Sequence, residues 1–255
     1  MRYFKTTLTY DGTNYHGWQA QPGQATIQGT LARAFRAAFG VPWASRAASR
    51  TDAGVHALQQ TISWCAPLGT LSSAKIATIW NHQLPLDIGV QTVAEVRAGY
   101  NIHTNVQEKT YYYDLFTQRP LPLYSRFGWY YGYRLDWEKL QMALQLLTGT
   151  HDFRSFCTGD ERADTVRTLA QPEIVYVAER QAYRLIWRGH SFLKYMVRRL
   201  TGAVVKVASC PQLSVAQLAQ VLHRCDPHHT LPTAPAHGLT LQQISYSAAE
   251  AQWFL

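Results

Sequence analysis

The sequence predicts an α+β protein built from two related units, because both halves of the chain show nearly the same alternation of strand-like and helix-like hydrophobic periodicity. In the first half, six segments are predicted in the order strand, helix, strand, strand, helix, strand, at residues 3–10, 26–39, 44–49, 59–65, 72–82 and 88–97. This βαββαβ order is typical of ferredoxin-like (split βαβ) units.

The helix at 26–39 has the clearest local signals. Thr26 is a residue type that caps helix starts, and Gly40 is the residue type that most often follows a helix end. Its apolar residues recur at helical spacing on one face, at Ile27, Leu31, Phe35 and Ala38. The pattern predicts an amphipathic helix with defined ends.

The second half nearly repeats this organisation. Strands are predicted at 109–117, 127–133, 173–179, 183–188 and 239–246, and helices at 137–148, 192–207 and 215–224. The three helices each follow a residue of capping type, namely Asp136, Ser191 and Ser214. We therefore expect two ferredoxin-like α+β domains, at 1–105 and 106–255, whose antiparallel sheets form a shared platform with a central cleft.

The balance of charges favours a polyanionic partner. The chain has 24 Lys and Arg against 16 Asp and Glu, which gives a formal net charge of +8. Basic side chains that neutralise phosphates release condensed counterions, so nucleic acid is a candidate partner, although many basic proteins bind none. The 15 Tyr and 8 Trp could stack on exposed bases, but most are expected in the core.

Nothing in the sequence predicts export, a membrane span or a metal centre. The first residues alternate like a strand and lack the apolar block of a signal peptide, so a cytoplasmic location is expected. The cysteines are far apart and are expected to be reduced thiols, at Cys65, Cys157, Cys210 and Cys225. The His-rich segment 223–237 lacks standard zinc spacing, so no metal is predicted there.

The most unusual segment connects the two short strands of the first half. Residues 50–57 read Arg-Thr-Asp-Ala-Gly-Val-His-Ala, and Asp52 lies near the middle. A carboxylate displayed between strands could be a nucleophile, a general base or a metal ligand. It could equally accept backbone N–H bonds in an ordinary turn, with Arg50 in a surface ion pair. The residues alone leave these alternatives open.

The same segment resembles the signature of TruA-type tRNA pseudouridine synthases, commonly written GRTDAGVHA. Every residue from Arg50 to Ala57 matches, whereas Ser49 stands where the pattern has glycine. Further segments keep the order of the family, at 10–12, 17–19, 26–29, 109–113, 151–156, 166–168, 192–198 and 234–241. The run Tyr100–His103 departs from the Phe-His-Ala-Arg run of the family, and no role is assigned to it.

The resemblance implies isomerisation of uridine to pseudouridine in tRNA. The N1–C1′ bond breaks, the uracil turns, and C5 bonds to C1′, so the reaction gains and loses no atom. No metal, nucleotide or flavin is implied, which agrees with a sequence lacking GxGxxG, P-loop or zinc spacing. By resemblance Asp52 is the nucleophile, and it is ionised at neutral pH without an activating base. Attack on C1′, attack on C6 and removal of a sugar proton remain alternatives.

Three further residues are assigned to substrate binding by the resemblance. Tyr111 matches the tyrosine of the family KTYxY strand, which packs on the flipped uracil, and alternation places Tyr113 on the same side and Tyr112 on the other. Arg198 lies on a helix that is apolar on both sides, so its guanidinium is expected to be buried and paired with Asp52. Arg50 would guard the space of the flipped base or contact phosphate.

The implied partner is the anticodon stem-loop of tRNA, with uridines 38, 39 and 40 as targets, bound by a homodimer. An enzyme with another RNA target would share the Asp52 loop. An RNA-binding module on ferredoxin-like sheets is a third interpretation, but it would leave the Arg-Thr-Asp segment unexplained, and the chain has no clear RNP-type aromatic motif.

Overall fold

The computed structural model describes residues 1–158 and 164–255 and confirms an α+β protein with a large sheet and helices. In chain order the α-helices are α1 (Ile27–Phe39), α2 (Ser73–Asn81), α3 (Trp137–Leu146), α4 (Met196–Ser209) and α5 (Val215–Arg224). The strands are β1 (Arg2–Tyr10), β2 (Ser45–Ala47), β3 (His56–Ala66), β4 (Ile88–Val96), β5 (Val106–Phe116), β6 (Trp129–Tyr130), β7 (Gly149–Asp152), β8 (Val166–Leu169), β9 (Glu173–Val177), β10 (Ala182–Gly189) and β11 (Leu239–Tyr246).

The chain divides into two compact units, residues 1–107 with 240–255, and residues 108–239. In the first unit, β1 pairs antiparallel with β3 and β4, and the short β2 pairs with β3. β11 pairs with β3 in parallel, through Thr240 opposite His56 and Leu241 opposite Ala57. The predicted second domain, residues 106–255, includes this last strand, but its backbone hydrogen bonds to β3 attach it to the first unit.

An aromatic cluster forms the core of the first unit. Phe35 of α1 contacts the rings of Trp43, Trp64 and Trp80 at centroid distances of 5.9, 5.1 and 5.0 Å, and Phe4 stacks on Trp64 at 4.4 Å. Large rings bury much apolar area each, so this cluster fixes α1 and α2 on one face of the sheet. The loop described below leads directly into the first residue of β3.

In the second unit, β5 pairs antiparallel with β10, and β9 pairs with β10 over residues 182–186. β8 joins β10 at Gly189 and also pairs with β7. α4 is buried along most of its length, as expected for a helix that is apolar on both sides.

The predicted caps of α1, α3 and α5 are confirmed. The side chains of Thr26, Asp136 and Ser214 accept hydrogen bonds from backbone N–H groups of the first turns, and Gly40 ends α1 in the left-handed conformation. β6 is shorter than predicted. β7 and β8 were not predicted, because both are only four residues long and therefore show little hydrophobic periodicity.

The predicted start of α4 was wrong. The helix begins at Met196 rather than near residue 192, and Ser191 does not cap it. The residue before the helix is Tyr195, whose φ of 63° and ψ of −2° place it in the left-handed region. The segment 190–195 is therefore a loop that turns sharply into α4.

Part of the basic charge of the second unit is neutralised internally. Asp114 is buried on β5 and accepts hydrogen bonds from Arg184 at 2.6 and 2.8 Å and from Arg180 at 3.2 Å. Arg188 is paired with Glu173. These arginines support the sheet, so only part of the positive charge is available for an anionic partner. No helix among the described residues is long and apolar enough to cross a membrane.

Candidate active site

Asp52 lies in the loop that joins β2 to β3, just before the 11-residue strand β3. Its side chain is half-buried, whereas Thr51 on one side is buried and Arg50 beyond it is exposed. The loop thus carries a half-buried carboxylate two residues after an exposed arginine, just before a strand of the sheet. Residues in this position are well placed for binding or chemistry.

Backbone hydrogen bonds fix this loop to the segment that follows β1. Trp18 donates to the carbonyl of Thr51 at 3.0 Å, and Gly54 donates to the carbonyl of Tyr15 at 3.1 Å. Within the loop, Val55 donates to the carbonyl of Asp52 at 3.2 Å, which closes a turn around the carboxylate. The backbone of Asp52 is therefore held on both sides.

Two glycines allow the backbones of these segments to touch. A Cβ atom on Gly12 would lie 2.0 Å from the carbonyl oxygen of Val55, and one on Gly17 would lie 2.8 Å from that of Thr51. Gly17 also has a φ of 86°, a backbone conformation that residues with a side chain rarely adopt. A side chain at either position would force the Asp52 loop to move.

A buried polar network supports the same loop from β1 and β3. The hydroxyl groups of Tyr10 and Thr51 lie 2.9 Å apart, and Gln60 donates to Tyr10 Oη at 3.2 Å and to the carbonyl of Ser49 at 2.7 Å. Ser49 is not among the residues with positive φ, so the family's glycine is not needed for backbone freedom here. The departure from the family pattern is accommodated.

His56 connects the end of the loop to the turn after β1. Its Nδ1 lies 3.0 Å from the backbone N of Gly12 and 3.0 Å from Oδ1 of Asp11, and the ring is buried. An unprotonated Nδ1 accepts from the Gly12 N–H, and a protonated one donates to Asp11. Either tautomer ties the two segments together, which explains a histidine at this position of the segment.

Tyr111 lies on β5 in the second unit, opposite Trp187 of β10. Tyr111 is 5% exposed and Tyr113 is fully buried, whereas Tyr112 is half-buried and carries the guanidinium of Arg184 over its ring at 4.3 Å. The predicted alternation along this strand is confirmed. The ring of Tyr111 meets Phe192, in the loop before α4, edge to face at 5.1 Å.

Tyr113 is fixed by the segment that precedes β11. Its hydroxyl donates to the carbonyl of Pro235 at 2.9 Å, and a Cβ on Gly238 would lie 2.5 Å from its ring. Burial raises the pKa of Tyr113 well above its ordinary value. This phenol is therefore a neutral structural group.

Lys109 is the first residue of the KTYxY segment at 109–113, and its surroundings shift its pKa strongly. Burial lowers the pKa of this lysine to about 8, and the residue lies opposite Gly189 of β10. Burial therefore brings the titration of Lys109 closer to neutral pH than that of an exposed lysine.

The arginines of α4 are arranged differently from the prediction. Arg198 is half-buried, and its Nε donates to the carbonyl of Ala234 at 2.9 Å. The more deeply buried guanidinium belongs to Arg199, which is 8% exposed and donates to the carbonyls of Cys157 and Pro227. Periodicity identified a buried helix but not which of two adjacent arginines is most enclosed. The pairing of Arg198 with Asp52 remains a prediction.

Known proteins match this chain over segments that include the Asp52 loop. A family model described as tRNA pseudouridine synthase matches residues 7–103 and 143–247. "tRNA pseudouridine synthase A" of Thermotoga neapolitana is 35% identical over 96% of this chain and 100% of its own length. The proteins of the same name from Geobacillus kaustophilus and Brevibacillus brevis are 36% and 33% identical, over 95% and 96% of this chain and 93% and 100% of their own lengths.

These matches define the class of protein as an isomerase that modifies uridine in RNA. The chain belongs to the family of TruA-type tRNA pseudouridine synthases. Among residues 1–158 and 164–255, no group of three or more His, Cys, Asp or Glu side chains is arranged to hold a metal ion.

We expect Gly17→Ala to lower the free energy of unfolding by at least about 2 kcal/mol, because it adds both backbone strain and a clash with the Asp52 loop. Turnover at a temperature where the variant is folded should fall at least about tenfold, because the carboxylate is displaced. Urea denaturation and initial rates measure the two effects.

Gly23→Ala is the matched control for this change. Gly23 has a φ of 72°, but a Cβ there would meet nothing within 4 Å. The Gly23→Ala variant should lose about 1 kcal/mol of unfolding free energy through backbone strain alone. Its turnover should stay within about twofold of wild type. Equal losses in the two variants would show that the close approach of the loop to Gly17 has no functional role.

Proposed function

We propose that this protein isomerises uridine to pseudouridine in the anticodon stem-loop of tRNA, at positions 38, 39 and 40, with Asp52 as the nucleophile. The observation that carries the proposal is the Arg50–Ala57 loop, whose backbone is pinned while the carboxylate of Asp52 is half-exposed. The family membership of the chain supports the reaction and the substrate class.

The reaction needs an accessible uridine and a carboxylate held rigidly beside it, and the Asp52 loop is proposed to provide the carboxylate. A uridine must leave its stack before C1′ and C5 become accessible, which is the usual requirement for enzymes that act on bases. A rigidly held carboxylate near the ribose or ring then gains its advantage from positioning. The N1–C1′ bond breaks, C5 bonds to C1′, and the proton released from C5 is balanced by one taken up at N1. No metal or cofactor takes part in this scheme.

Three residues are proposed to bind the flipped nucleotide. Tyr111 is proposed to offer its ring to the uracil and its hydroxyl to the C5 proton, because a phenol combines a stacking face with a proton-transfer group. Arg198 is proposed to pair with Asp52 and hold its carboxylate in position. Arg50, exposed beside the nucleophile, is proposed to occupy the space that the base vacates or to contact a phosphate.

The finer architecture is proposed on the same basis. The two units are proposed to be ferredoxin-like, with sheets that form one platform and a central cleft where these residues meet. The enzyme is further proposed to be cytoplasmic and to act as a homodimer that binds tRNA across both subunits. Light scattering of the purified chain tests the dimer, and a monomeric mass at micromolar concentration would contradict it.

The nucleophile is tested by release of tritium from C5-labelled uridine in tRNA, with no added metal or cofactor. Asp52→Asn should lower turnover at least about a thousandfold, because an amide of the same shape cannot act as the nucleophile. Binding of tRNA in a gel-shift assay should persist.

Asp164→Asn is the matched control, because it makes the same chemical change at a side chain that is 80% exposed. This variant should retain wild-type turnover. If Asp52→Asn retains it as well, the nucleophile is another group. If the wild-type protein releases no tritium but binds structured RNA, the chain is a binding module or acts on another RNA.

Tyr111→Phe tests the second role, because it keeps the ring and removes only the hydroxyl. Turnover should fall about 10²-fold if that hydroxyl transfers a proton, while KM for tRNA stays nearly constant. Single-turnover rates separate the chemical step from product release. Unchanged rates would reduce Tyr111 to a packing and stacking role.

A further inference from the structure

The guanidinium of Arg198 is contacted from two directions within the second unit. Its Nε donates to the carbonyl of Ala234 at 2.9 Å, and its Cζ lies 5.1 Å from the centre of the Tyr195 ring. A guanidinium group is planar and its N–H bonds form a rigid fork. The hydrogen bond sets the direction of Nε–H, and the ring contact restrains the group from a second side.

Tyr195 is an unusual residue for its place in the backbone. It precedes the first residue of α4 with a φ of 63° and makes no side-chain capping bond. A bulky residue in the left-handed region costs about 1 kcal/mol or more, and Asn or Gly would occupy the position at lower cost. Local helix preferences therefore do not explain a tyrosine here. Strained residues that persist in a fold often mark functional positions.

The left-handed turn has a geometric consequence for α4. The residue before the helix adopts this conformation, and the ring of Tyr195 lies beside the side chain three residues later, on the first turn. Residues three apart on a helix are neighbours. The ring of Tyr195 therefore contacts Arg198 rather than pointing away from the helix, and a cation on an aromatic face is an attractive contact.

The second contact depends on a close approach of α4 to the segment 232–234. The backbone N of Ala234 donates to the carbonyl of Arg198 at 3.0 Å, so the two residues exchange a pair of hydrogen bonds. A Cβ on Gly202 would lie 2.1 Å from the carbonyl oxygen of Pro232. Glycine at this position therefore allows the segment to lie against the helix. Ala234 itself is fully buried, which fixes the accepting carbonyl.

We propose that Tyr195 is a positioning residue for the isomerisation, which acts by holding the guanidinium of Arg198 in the plane that the reaction requires. The inference rests on the proposed function, in which Arg198 orients the nucleophile. An error of about 1 Å in the placement of such a group costs about 10²-fold in rate, so a contact of this kind is expected to affect turnover strongly. It has little direct influence on tRNA affinity, because the ring acts on Arg198 and not on the substrate.

Two variants separate the effect of the Tyr195 ring on turnover from the effect of its backbone conformation. Tyr195→Phe keeps the ring, and it should hold kcat and KM for tRNA within about threefold of wild type. Tyr195→Asn removes the ring but tolerates the left-handed conformation, so folding is preserved. It should lower kcat about tenfold, change KM less than about threefold, and leave the thermal midpoint within about two degrees of wild type.

A double-mutant cycle with Arg198→Lys shows whether Tyr195 acts through Arg198. Lysine keeps the charge but loses the planar fork that the ring and the Ala234 carbonyl orient. Arg198→Lys alone should lower kcat at least about tenfold. Adding Tyr195→Asn to it should then change kcat less than about twofold, because contacting residues are not additive.

Four results would overturn the proposal. The first two are a Tyr195→Asn variant with wild-type kcat and a Tyr195→Phe variant as impaired as Tyr195→Asn. The others are an Arg198→Lys enzyme with wild-type kcat and a full tenfold loss when Tyr195→Asn is added to Arg198→Lys. None of these results bears on the nucleophile, since loss of tritium release in Asp52→Asn decides that assignment separately.

Discussion

The backbone contact between residues 12–17 and the loop at 51–55 is the constraint on which the candidate active site depends. Asp52 lies in a connection without regular secondary structure, and such connections are mobile unless other groups hold them. Here the hydrogen bonds of Trp18 and Gly54 and the absence of side chains at Gly12 and Gly17 provide that support. The geometry of the candidate site therefore depends largely on backbone contacts made by neighbouring residues.

Much of the fold could be predicted from the sequence, because α1, α3 and α5 each combine an apolar stripe with a local cap. Thr26, Asp136 and Ser214 act within a few residues of themselves, so their effect is visible in sequence. The start of α4 could not be predicted in this way. Tyr195 holds a backbone conformation that its own preferences disfavour, so no local preference in the sequence marks the helix start there.

The candidate site, like the fold, could be predicted from the sequence only in part. The segment Arg50–Ala57 identified the loop, and alternation along β5 correctly separated Tyr111 and Tyr113 from Tyr112. Burial of individual arginines on α4 was not predictable, because it depends on where other segments cross the helix. Carbonyl groups of Cys157 and Pro227 accept from the terminal nitrogens of Arg199, so backbone groups rather than a carboxylate provide these two hydrogen bonds. Sequence spacing carries no information about such backbone acceptors.

The parallel pairing of β11 with β3 has a consequence for how the protein is made. β3 leads out of the Asp52 loop, yet one of its neighbours comes from residues 239–246, which leave the ribosome long after it. Contacts between distant parts of a chain form slowly, and nascent domains fold as their residues emerge. The first unit therefore lacks one strand until synthesis has passed the whole second unit, and the start of β3, which follows the Asp52 loop, is without its β11 neighbour in a partly made chain.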